Sequence, residues 1–422
     1  MAYALDFRPH FKIEAMKRLE RTALSLWAHV LNKPNHPPAG VLGIGVDAFL
    51  PPGVYAPESR RFGRHSRSSL EKSSFVKKGF AAVAKLYAGF ADNLRFGALT
   101  HLLDSLRNRG DWSGPWYKRS VTGFKYLLRS VCMPVRHGRF LAFINAHPQM
   151  RAYQQRDPRL LERHMHRYVN AHWHRRQRLD FLQQHYRFAL THLPEGLFDL
   201  VYALGHASLG CLKAKDGSLL TLCMRPPIFK GCEGELCLQL CDGNEDPLYS
   251  IVFTICDEKP AIVIGCLQGP RGEDAKDVVR ELTRNMYGMR PKQLMLSLVY
   301  AFAKYYGIST LVAISNDAHP LRQSGRPLIS DYDAFWEEQH GKPVEGGWYA
   351  LPSSQTHKSE ADVPSNHRSA FRRREALRQQ AEQLVIQALG QPLPLLLESR
   401  VQERPVARRA LPNIRAETSW VS

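Results

Sequence analysis

Apolar positions in the first 200 residues recur mostly with the period of an α-helix. This spacing predicts helices over residues 11–31, 75–106 and 120–129, and one or two more between 156 and 193. Pro, Gly and Ser are concentrated between 32 and 66, so this stretch is expected to be a loop. The pattern therefore predicts a mainly helical N-terminal half.

From about residue 205 the pattern changes to short runs of apolar and β-branched residues. Four such runs are separated by turn residues: SLLTLCMRPP, EGELCLQLCDG, LYSIVFTICDE and PAIVIGCLQG. Two helical segments and two further strand-like runs follow: DAKDVVRELTRNMYG, PKQLMLSLVYAFAKYYG, STLVAISN and GGWYALP. The order predicts an α+β (α/β) fold, in which a mixed, mostly antiparallel sheet is flanked by helices and preceded by a basic helical region.

Charge is distributed unevenly along the chain. The 422 residues carry a net charge of +19, and residues 1–200 hold 32 Lys and Arg against 14 Asp and Glu. Residues 201–354 hold 15 against 18. The excess predicts an anionic neighbour for the N-terminal half, such as anionic lipid or another envelope component, although a solvated basic surface explains it equally well. Nucleic acid is disfavoured, because the sequence contains no recognisable DNA- or RNA-binding motif.

Cysteine usage and hydropathy both favour the cytoplasm. The eight cysteines all lie between Cys132 and Cys266, and without a CxxC pair they fit a reduced compartment better than a zinc site. No apolar run reaches the length of about 20 residues that a transmembrane helix requires. We expect a cytoplasmic protein that needs no metal, and a peripheral position at the inner membrane stays open.

Eight sequence boxes follow one another between His147 and Arg374. They are HPQMRAY, LDFLQQHYRF, EGELCLQL, IGCLQG, RELTRNMYGMRPKQL, SNDAHP, DYDAFW and NHRSAFRRRE. Together, and in this order, they resemble the VirK/YbjX family of bacterial proteins over more than half of the chain. The resemblance implies a link to bacterial virulence and to resistance against antimicrobial peptides, but it implies no catalytic residues.

A second resemblance concerns the segment from the strand at 262–267 to the strand at 310–315. It is similar to the acyl-coenzyme A core of the GNAT acyltransferases, where a β-meander leads to a strand that separates from its neighbour and holds pantetheine. The pyrophosphate then lies at the next helix N-terminus, which here would follow the loop 288–292. The resemblance implies an acyltransferase that uses an acyl-CoA or acyl-carrier-protein thioester. Five residues are candidates for binding this cofactor: Gln268, Arg284, Gly288, Arg290 and Lys292.

The proposed loop departs from the GNAT pattern, so another interpretation stays open. The segment from Arg284 to Arg290 has one residue too many, and Pro291 lacks an amide donor. An additional helix over 274–287 also precedes the loop. In the alternative, Gly288 only ends that helix and Pro291 only begins the next one.

Acyl transfer requires a base for the acceptor and a proton donor for the departing thiolate. Glu233 and Glu235 are candidates for the base, because two residues apart on a strand they would share one face. Asp331 is a further candidate base, and Tyr332 is the candidate acid. An exposed strand face explains either glutamate as well. Asn316, Asp317 and His319 follow a strand end, where ligands often bind in α/β folds, although turn capping explains them equally well.

The predicted domains are 1–140, basic and mainly helical; 141–204, a helical segment of the family core; 205–352, the GNAT-like domain; and 353–422, a basic helical and partly disordered tail. The predicted function is acyl transfer in a VirK/YbjX-like protein. The alternative is a non-enzymatic envelope-stress factor that docks through its basic helices on anionic lipid or on a protein partner.

Overall fold

The computed structural model describes residues 97–390, except 108, 228–230, 323–330 and 357. The helices predicted over 11–31 and over most of 75–106, the loop at 32–66 and the predicted disordered end lie outside the described residues. The chain divides into two compact units, one up to Met165 and one from His166. No helix among the described residues is both long enough and apolar enough to span a membrane.

The described part of the first unit, from residue 97 onward, consists of helices and their connections. They are α1 (Gly97–Asp104), α2 (Trp116–Val131), α3 (Pro134–Ala146) and α4 (Pro148–Arg156), followed by a 3-10 helix (Pro158–Met165). Proline occupies the first turn of α3 and of α4, where its missing N–H costs nothing. The helix predicted over 120–129 is therefore confirmed, with four more residues at its start and two at its end.

A buried arginine stabilises the first unit through ion pairs. The guanidinium of Arg109, 2% exposed, donates to Asp111 Oδ1 over 2.8 Å and also pairs with Glu162. Its carbon Cζ lies 4.3 Å from the ring centroid of Trp112. A buried charge is costly unless it is paired, so these carboxylates keep Arg109 in the core.

The second unit is built around one sheet. Before the sheet come α5 (Arg175–His192), α6 (Glu195–Phe198) and a π-helical turn (Asp199–Ala203). The strands are β1 (Ala207–Lys213), β2 (Leu219–Arg225), β3 (Leu236–Cys241), β4 (Pro247–Cys256), β5 (Ala261–Gln268), β6 (Thr310–Ile314), β7 (Lys342–Val344) and β8 (Trp348–Leu351). The remaining α-helices are α7 (Ala275–Asn285), α8 (Pro291–Tyr305), α9 (Tyr332–Glu338) and α10 (Arg368–Gly390), and two short 3-10 helices, Glu360–Asp362 and Ser365–His367, precede α10.

The eight strands are ordered β1-β2-β3-β4-β5-β6-β8-β7. All neighbouring pairs are antiparallel except β5 and β6, which are parallel and are connected through α7 and α8. The predicted α+β fold with a mixed, mostly antiparallel sheet is confirmed. The sequence pattern does not predict β1 or β7, and the similarity to GNAT enzymes stays a prediction.

Helices cover the sheet with aromatic side chains. The ring of Phe302 on α8 lies 5.3 Å from that of Phe253 on β4, centroid to centroid. Trp336 on α9 is fully buried and donates its indole N–H to the carbonyl of Ile314 over 2.8 Å. Burial of such large rings is a major part of the hydrophobic stabilisation of a core.

The parallel strands β5 and β6 pair over only half of β5. Their register runs from Ala261 opposite Thr310 to Ile264 opposite Ala313, whereas β5 continues to Gln268. At this point Gly265 is an extra residue relative to β4, and such a bulge bends a strand. The last four residues of β5 therefore extend beyond the pairing with β6.

Candidate active site

The segment before β3 brings Glu233 against the bulge of β5. Glu233 is 2% exposed, and the following Gly234 has a φ of +143°, which favours glycine. A Cβ atom on Gly265 would lie only 2.0 Å from the carbonyl oxygen of Glu233. Glycine at 265 is therefore required for this close approach, which carries the carboxyl of Glu233 into the protein.

Burial is the main cause of the shift in the pKa of the Glu233 carboxyl. It raises the pKa of Glu233 to about 7, against the opposing effects of a hydrogen bond from the Cys266 thiol and of the positive charge of Arg271. A carboxyl with this pKa exists in both protonation states near neutral pH, which is the property of a general base or acid.

His319 faces the same carboxyl from the loop after β6. Its Nε2 lies 3.8 Å from Oε1 of Glu233, and its Nδ1 accepts a hydrogen bond from the amide of Leu321 over 3.3 Å. Burial lowers the pKa of His319 to about 4, and the nearby backbone of Gly265 opposes this shift. The imidazole is thus neutral near pH 7, with its hydrogen on Nε2 because Nδ1 is an acceptor.

Tyr332, the first residue of α9, reaches the part of β5 beyond the pairing with β6. Its hydroxyl accepts a hydrogen bond from the amide of Leu267 over 3.3 Å and donates to Sγ of Cys266 over 3.6 Å. The ring stacks on that of His319 at a centroid distance of 5.2 Å. Burial, together with the neighbouring Cys266, raises the pKa of Tyr332 well above its usual value, so the phenol keeps its proton.

These contacts form one hydrogen-bonded chain. The Leu267 amide donates to Tyr332, Tyr332 to Cys266, and the Cys266 thiol to Glu233. Burial raises the pKa of the Cys266 thiol well above its usual value, so it stays protonated. We call Glu233, Cys266, His319 and Tyr332 the Glu233 cluster.

The prediction that Glu233 and Glu235 share one face of a strand is wrong. β3 begins only at Leu236, and both glutamates precede it in a bent segment and are buried, not exposed. Glu235 contacts a different group of residues: it accepts a hydrogen bond from the hydroxyl of Tyr186, and its carbonyl accepts one from Tyr202 over 3.3 Å. The sharp turn at Gly234 separates the surroundings of the two carboxyls.

Asp331 acts as the N-cap of α9. Its carboxylate accepts hydrogen bonds from the side-chain amide of Asn316 over 2.7 Å and from the backbone amide of Ala334 over 3.2 Å. These bonds, that from Asn316 first, lower the pKa of Asp331. Asp331 is therefore an exposed, ionised helix cap, and a role as catalytic base stays a prediction.

The loop before α8 has the geometry of two helix boundaries. Tyr287 and Gly288 both have positive φ angles, of 55° and 83°, and the Gly288 amide donates to the Thr283 carbonyl over 2.9 Å. Pro291 is the first residue of α8. Gly288 thus ends α7 and Pro291 begins α8, as the alternative interpretation expects, and phosphate binding by this loop stays a prediction.

Two of the predicted cofactor-binding side chains, those of Arg290 and Lys292, contact the same helix, α9. Arg290 forms an ion pair with Glu338 on α9, and the ammonium of Lys292 lies 5.4 Å from the ring centroid of Phe335, also on α9. Burial lowers the pKa of Lys292, followed in size by repulsion from Arg290. Gln268, at the end of β5, accepts a hydrogen bond from Arg271 over 2.6 Å. Arg284 is exposed in the last turn of α7.

Sequence reasoning misses Cys266 and Arg271 as neighbours of the site. Cys266 looks like one of several apolar strand residues, and Arg271 like part of a turn. The one available signal is the alternation within β5, which places Cys266 on the same face as Gln268 and opposite to Leu267 before the bulge is known.

The chain was compared with known proteins. The sequence profile of a family described as proteins of unknown function (DUF535) matches residues 116–387. The uncharacterised protein YbjX of Escherichia coli is 29% identical over 267 residues, which cover 61% of this chain and 80% of YbjX. The membrane protein LapB of Mannheimia haemolytica is 28% identical over 203 residues, covering 47% of this chain and 85% of LapB.

A further relative is an uncharacterised protein of Haemophilus influenzae, 27% identical over 204 residues that cover 48% of this chain and 68% of the relative. No solved structure matches the chain significantly. The family profile covers well over half of the chain and the relatives are bacterial, so the resemblance to the VirK/YbjX proteins is confirmed. The chain belongs to the DUF535 family of proteins of unknown function.

Proposed function

We propose that this protein transfers an acyl group from a coenzyme A or acyl-carrier-protein thioester to an amine or hydroxyl acceptor. The observation that supports this most strongly is the Glu233 cluster. A carboxyl with a pKa of about 7 and a protonated tyrosine lie in one hydrogen-bonded chain at the place where β5 extends beyond β6. Acyl transfer needs these two groups, a base and an acid, near one reacting centre.

The strand arrangement supports a place for the thioester. An antiparallel meander ends in β5, and β5 forms with β6 the only parallel pair in the described sheet. The last four residues of β5 extend beyond this pairing. The GNAT resemblance implies that pantetheine binds in such a gap.

In the proposed reaction Glu233, as the carboxylate, removes the proton from the attacking amine or hydroxyl. The nucleophile forms a bond to the thioester carbon, and the carbon–sulfur bond then breaks. Tyr332 donates its proton to the departing thiolate. The chain through Cys266 returns the proton from Glu233 to Tyr332, so both groups regain their starting states. His319 is a positioning residue, because its neutral imidazole packs on Tyr332 and faces Glu233.

The basic residues at the start of α8 support binding of the cofactor's phosphates. The free amides and the dipole of a helix N-terminus favour an anion, and Arg290 and Lys292 add positive charge there. Arg290 is ion-paired with exposed Glu338, and a phosphate that carries more charge competes with this carboxylate. The basic start of α8 thus favours an acyl donor that carries phosphate groups.

A thermal-shift titration with acetyl-CoA, octanoyl-CoA and palmitoyl-CoA tests the proposal. At a concentration of about 100 times Kd, a ligand stabilises the folded protein by about 2.7 kcal/mol, which raises Tm by roughly 5–10 °C for a unit of this size. Arg290→Ala and Lys292→Ala should reduce the shift, whereas Lys259→Ala, at an exposed turn, should not. If none of the three thioesters raises Tm, the proposal fails.

Release of free coenzyme A, measured by chromatography with a panel of amines and alcohols, tests the chemistry separately. Glu233→Gln and Tyr332→Phe keep the shapes of the side chains but remove the base and the acid. We expect both variants to bind acyl-CoA and to release coenzyme A at least about 100-fold more slowly than the wild type. Unchanged release in both variants would remove the Glu233 cluster from the mechanism.

The biological role that we propose is modification of an envelope component that lowers susceptibility to antimicrobial peptides, as the family resemblance implies. The name of the Mannheimia relative, a membrane protein, supports a cytoplasmic protein peripheral to the inner membrane. A strain without the gene should be more sensitive to a cationic peptide, and a copy with Glu233→Gln should not restore resistance. If the Glu233→Gln copy fully restores resistance, the biological role does not depend on acyl transfer.

A further inference from the structure

Exposed apolar side chains are concentrated on α2 and at the start of α3. Trp116, Tyr117, Leu128 and Val135 are 61%, 51%, 46% and 40% exposed. They are four of the eight large apolar side chains exposed among the described residues, yet they lie within 20 positions of one another. Single exposed apolar residues are normal, whereas a concentration of them marks an interaction surface.

The pattern of α2 places apolar and basic side chains side by side. Tyr117, Phe124 and Leu128 follow steps of seven and four along the helix, so they form one apolar line. The residue that directly follows each of these three in the sequence is basic. These residues are Lys118, Lys125 and Arg129, and they form a parallel basic line next to the apolar one.

The core-facing side of α2 is a different one. The buried residues of this helix are Gly123, Tyr126, Leu127 and Ser130, which lie away from the apolar line around the helix. The apolar line therefore does not serve the core of the first unit. We call Tyr117, Phe124 and Leu128, with Lys118, Lys125 and Arg129, the α2 surface.

The sequence around this surface lacks negative charge altogether. From 112 to 156 the chain contains eight Lys and Arg and no Asp or Glu. An anionic bilayer presents negative headgroups over an apolar interior, which matches this combination of basic and apolar side chains. Tyr117, with an apolar ring and a polar hydroxyl, suits the boundary between the two.

We propose that the α2 surface binds the face of an anionic lipid bilayer, with α2 lying parallel to the membrane plane. Tyr117, Leu128 and the other apolar residues enter the boundary between headgroups and acyl chains, and Lys118, Lys125 and Arg129 contact lipid phosphates. This lipid site lies in the first compact unit and does not depend on whether the second unit transfers acyl groups.

Sedimentation of the full chain with vesicles tests the proposal. Vesicles of phosphatidylcholine mixed with phosphatidylglycerol should bind the protein, and vesicles of phosphatidylcholine alone should bind it at least about tenfold more weakly. Each basic residue at an anionic surface strengthens binding about fivefold, and this contribution is lost in high salt. Equal binding to both kinds of vesicle, or no binding to either, would overturn the proposal.

Three variants locate the binding site. Tyr117→Ser/Leu128→Ser removes apolar area, Lys118→Gln/Lys125→Gln removes two charges, and each should weaken binding at least about tenfold. Leu128→Trp adds area at the boundary and should strengthen it. The third variant keeps the test decisive if a serine variant does not fold, provided that circular dichroism shows it to be folded and that it does not sediment without vesicles.

The matched control is Leu219→Ser/Lys259→Gln, which changes an exposed leucine, 52% exposed, and an exposed lysine of the second unit. It should bind vesicles as the wild type does. If the control loses binding, or if the three α2 variants all bind like the wild type, the α2 surface is not the lipid site. Binding to duplex DNA but not to vesicles would also overturn the proposal.

Discussion

Substitution of Glu233 by glutamine should change how the stability of the protein depends on pH. Glutamine resembles the neutral, protonated glutamic acid in shape and does not ionise. In the folded protein burial raises the pKa of Glu233 from 4.5 to about 7. The folded state therefore holds this proton more tightly than the unfolded chain does.

The size and sign of the effect follow from these two values. A tenfold difference in proton affinity equals about 1.4 kcal/mol, so the shift corresponds to about 3 kcal/mol. Because the pKa is raised in the folded state, the stability linked to the neutral carboxyl is complete below about pH 4.5. It is lost as the pH rises and is gone above about pH 7. The glutamine variant has no such loss.

Urea unfolding of the wild type and of Glu233→Gln between about pH 4 and about pH 8 measures the effect. The free energy of unfolding of the variant minus that of the wild type should increase by about 3 kcal/mol over this range. The exposed Glu258, changed to glutamine, serves as control and should leave the difference constant. Parallel curves for wild type and Glu233→Gln would refute the buried, near-neutral pKa on which the proposed base depends.

Three further outcomes are expected. Gly265→Ala should lower the free energy of unfolding by about 2–3 kcal/mol in urea titrations, because the new Cβ would lie 2.0 Å from the Glu233 carbonyl; unchanged stability would contradict the close approach. Glu162→Ala should lower the free energy of unfolding of the first unit by about 3 kcal/mol, measured in the same way, because it removes one carboxylate partner of buried Arg109. A decrease of less than about 1 kcal/mol would contradict that pairing. The rate of coenzyme A release should rise about tenfold per pH unit below about pH 7 and level off above it, because the Glu233 carboxylate forms over this range. A rate independent of pH would exclude Glu233 as the base.

The sheet was largely predictable from local patterns, because most of its strands carry a strong signal. The meander β2 to β5 consists of apolar runs between turn residues, and α8 begins with Pro291. β1 and β7 lack such signals: Gly210 disrupts the alternation of β1 at a bulge, and β7 is three exposed residues with a proline in the middle. Periodicity predicts elements that bury a regular face, and these two do not.

The candidate site was less predictable, because it depends on tertiary contacts. Glu233, Cys266, His319 and Tyr332 come from four separate segments, and only the bulge at Gly265 brings the first against β5. The pattern around Glu233 indicates an exposed strand face, whereas the structure buries the carboxyl. The pKa that makes Glu233 a plausible base arises from that burial, so no local signal could reveal it.

The most direct test of the proposed acyl transfer is hydrogen exchange of the backbone amides with and without a saturating acyl-CoA. We predict slower exchange in two stretches, 265–268 at the end of β5 and 290–294 at the start of α8, because thioester and phosphates would contact them. Exchange that is unchanged in both stretches, or slowed only elsewhere, would contradict the binding of an acyl thioester at this site.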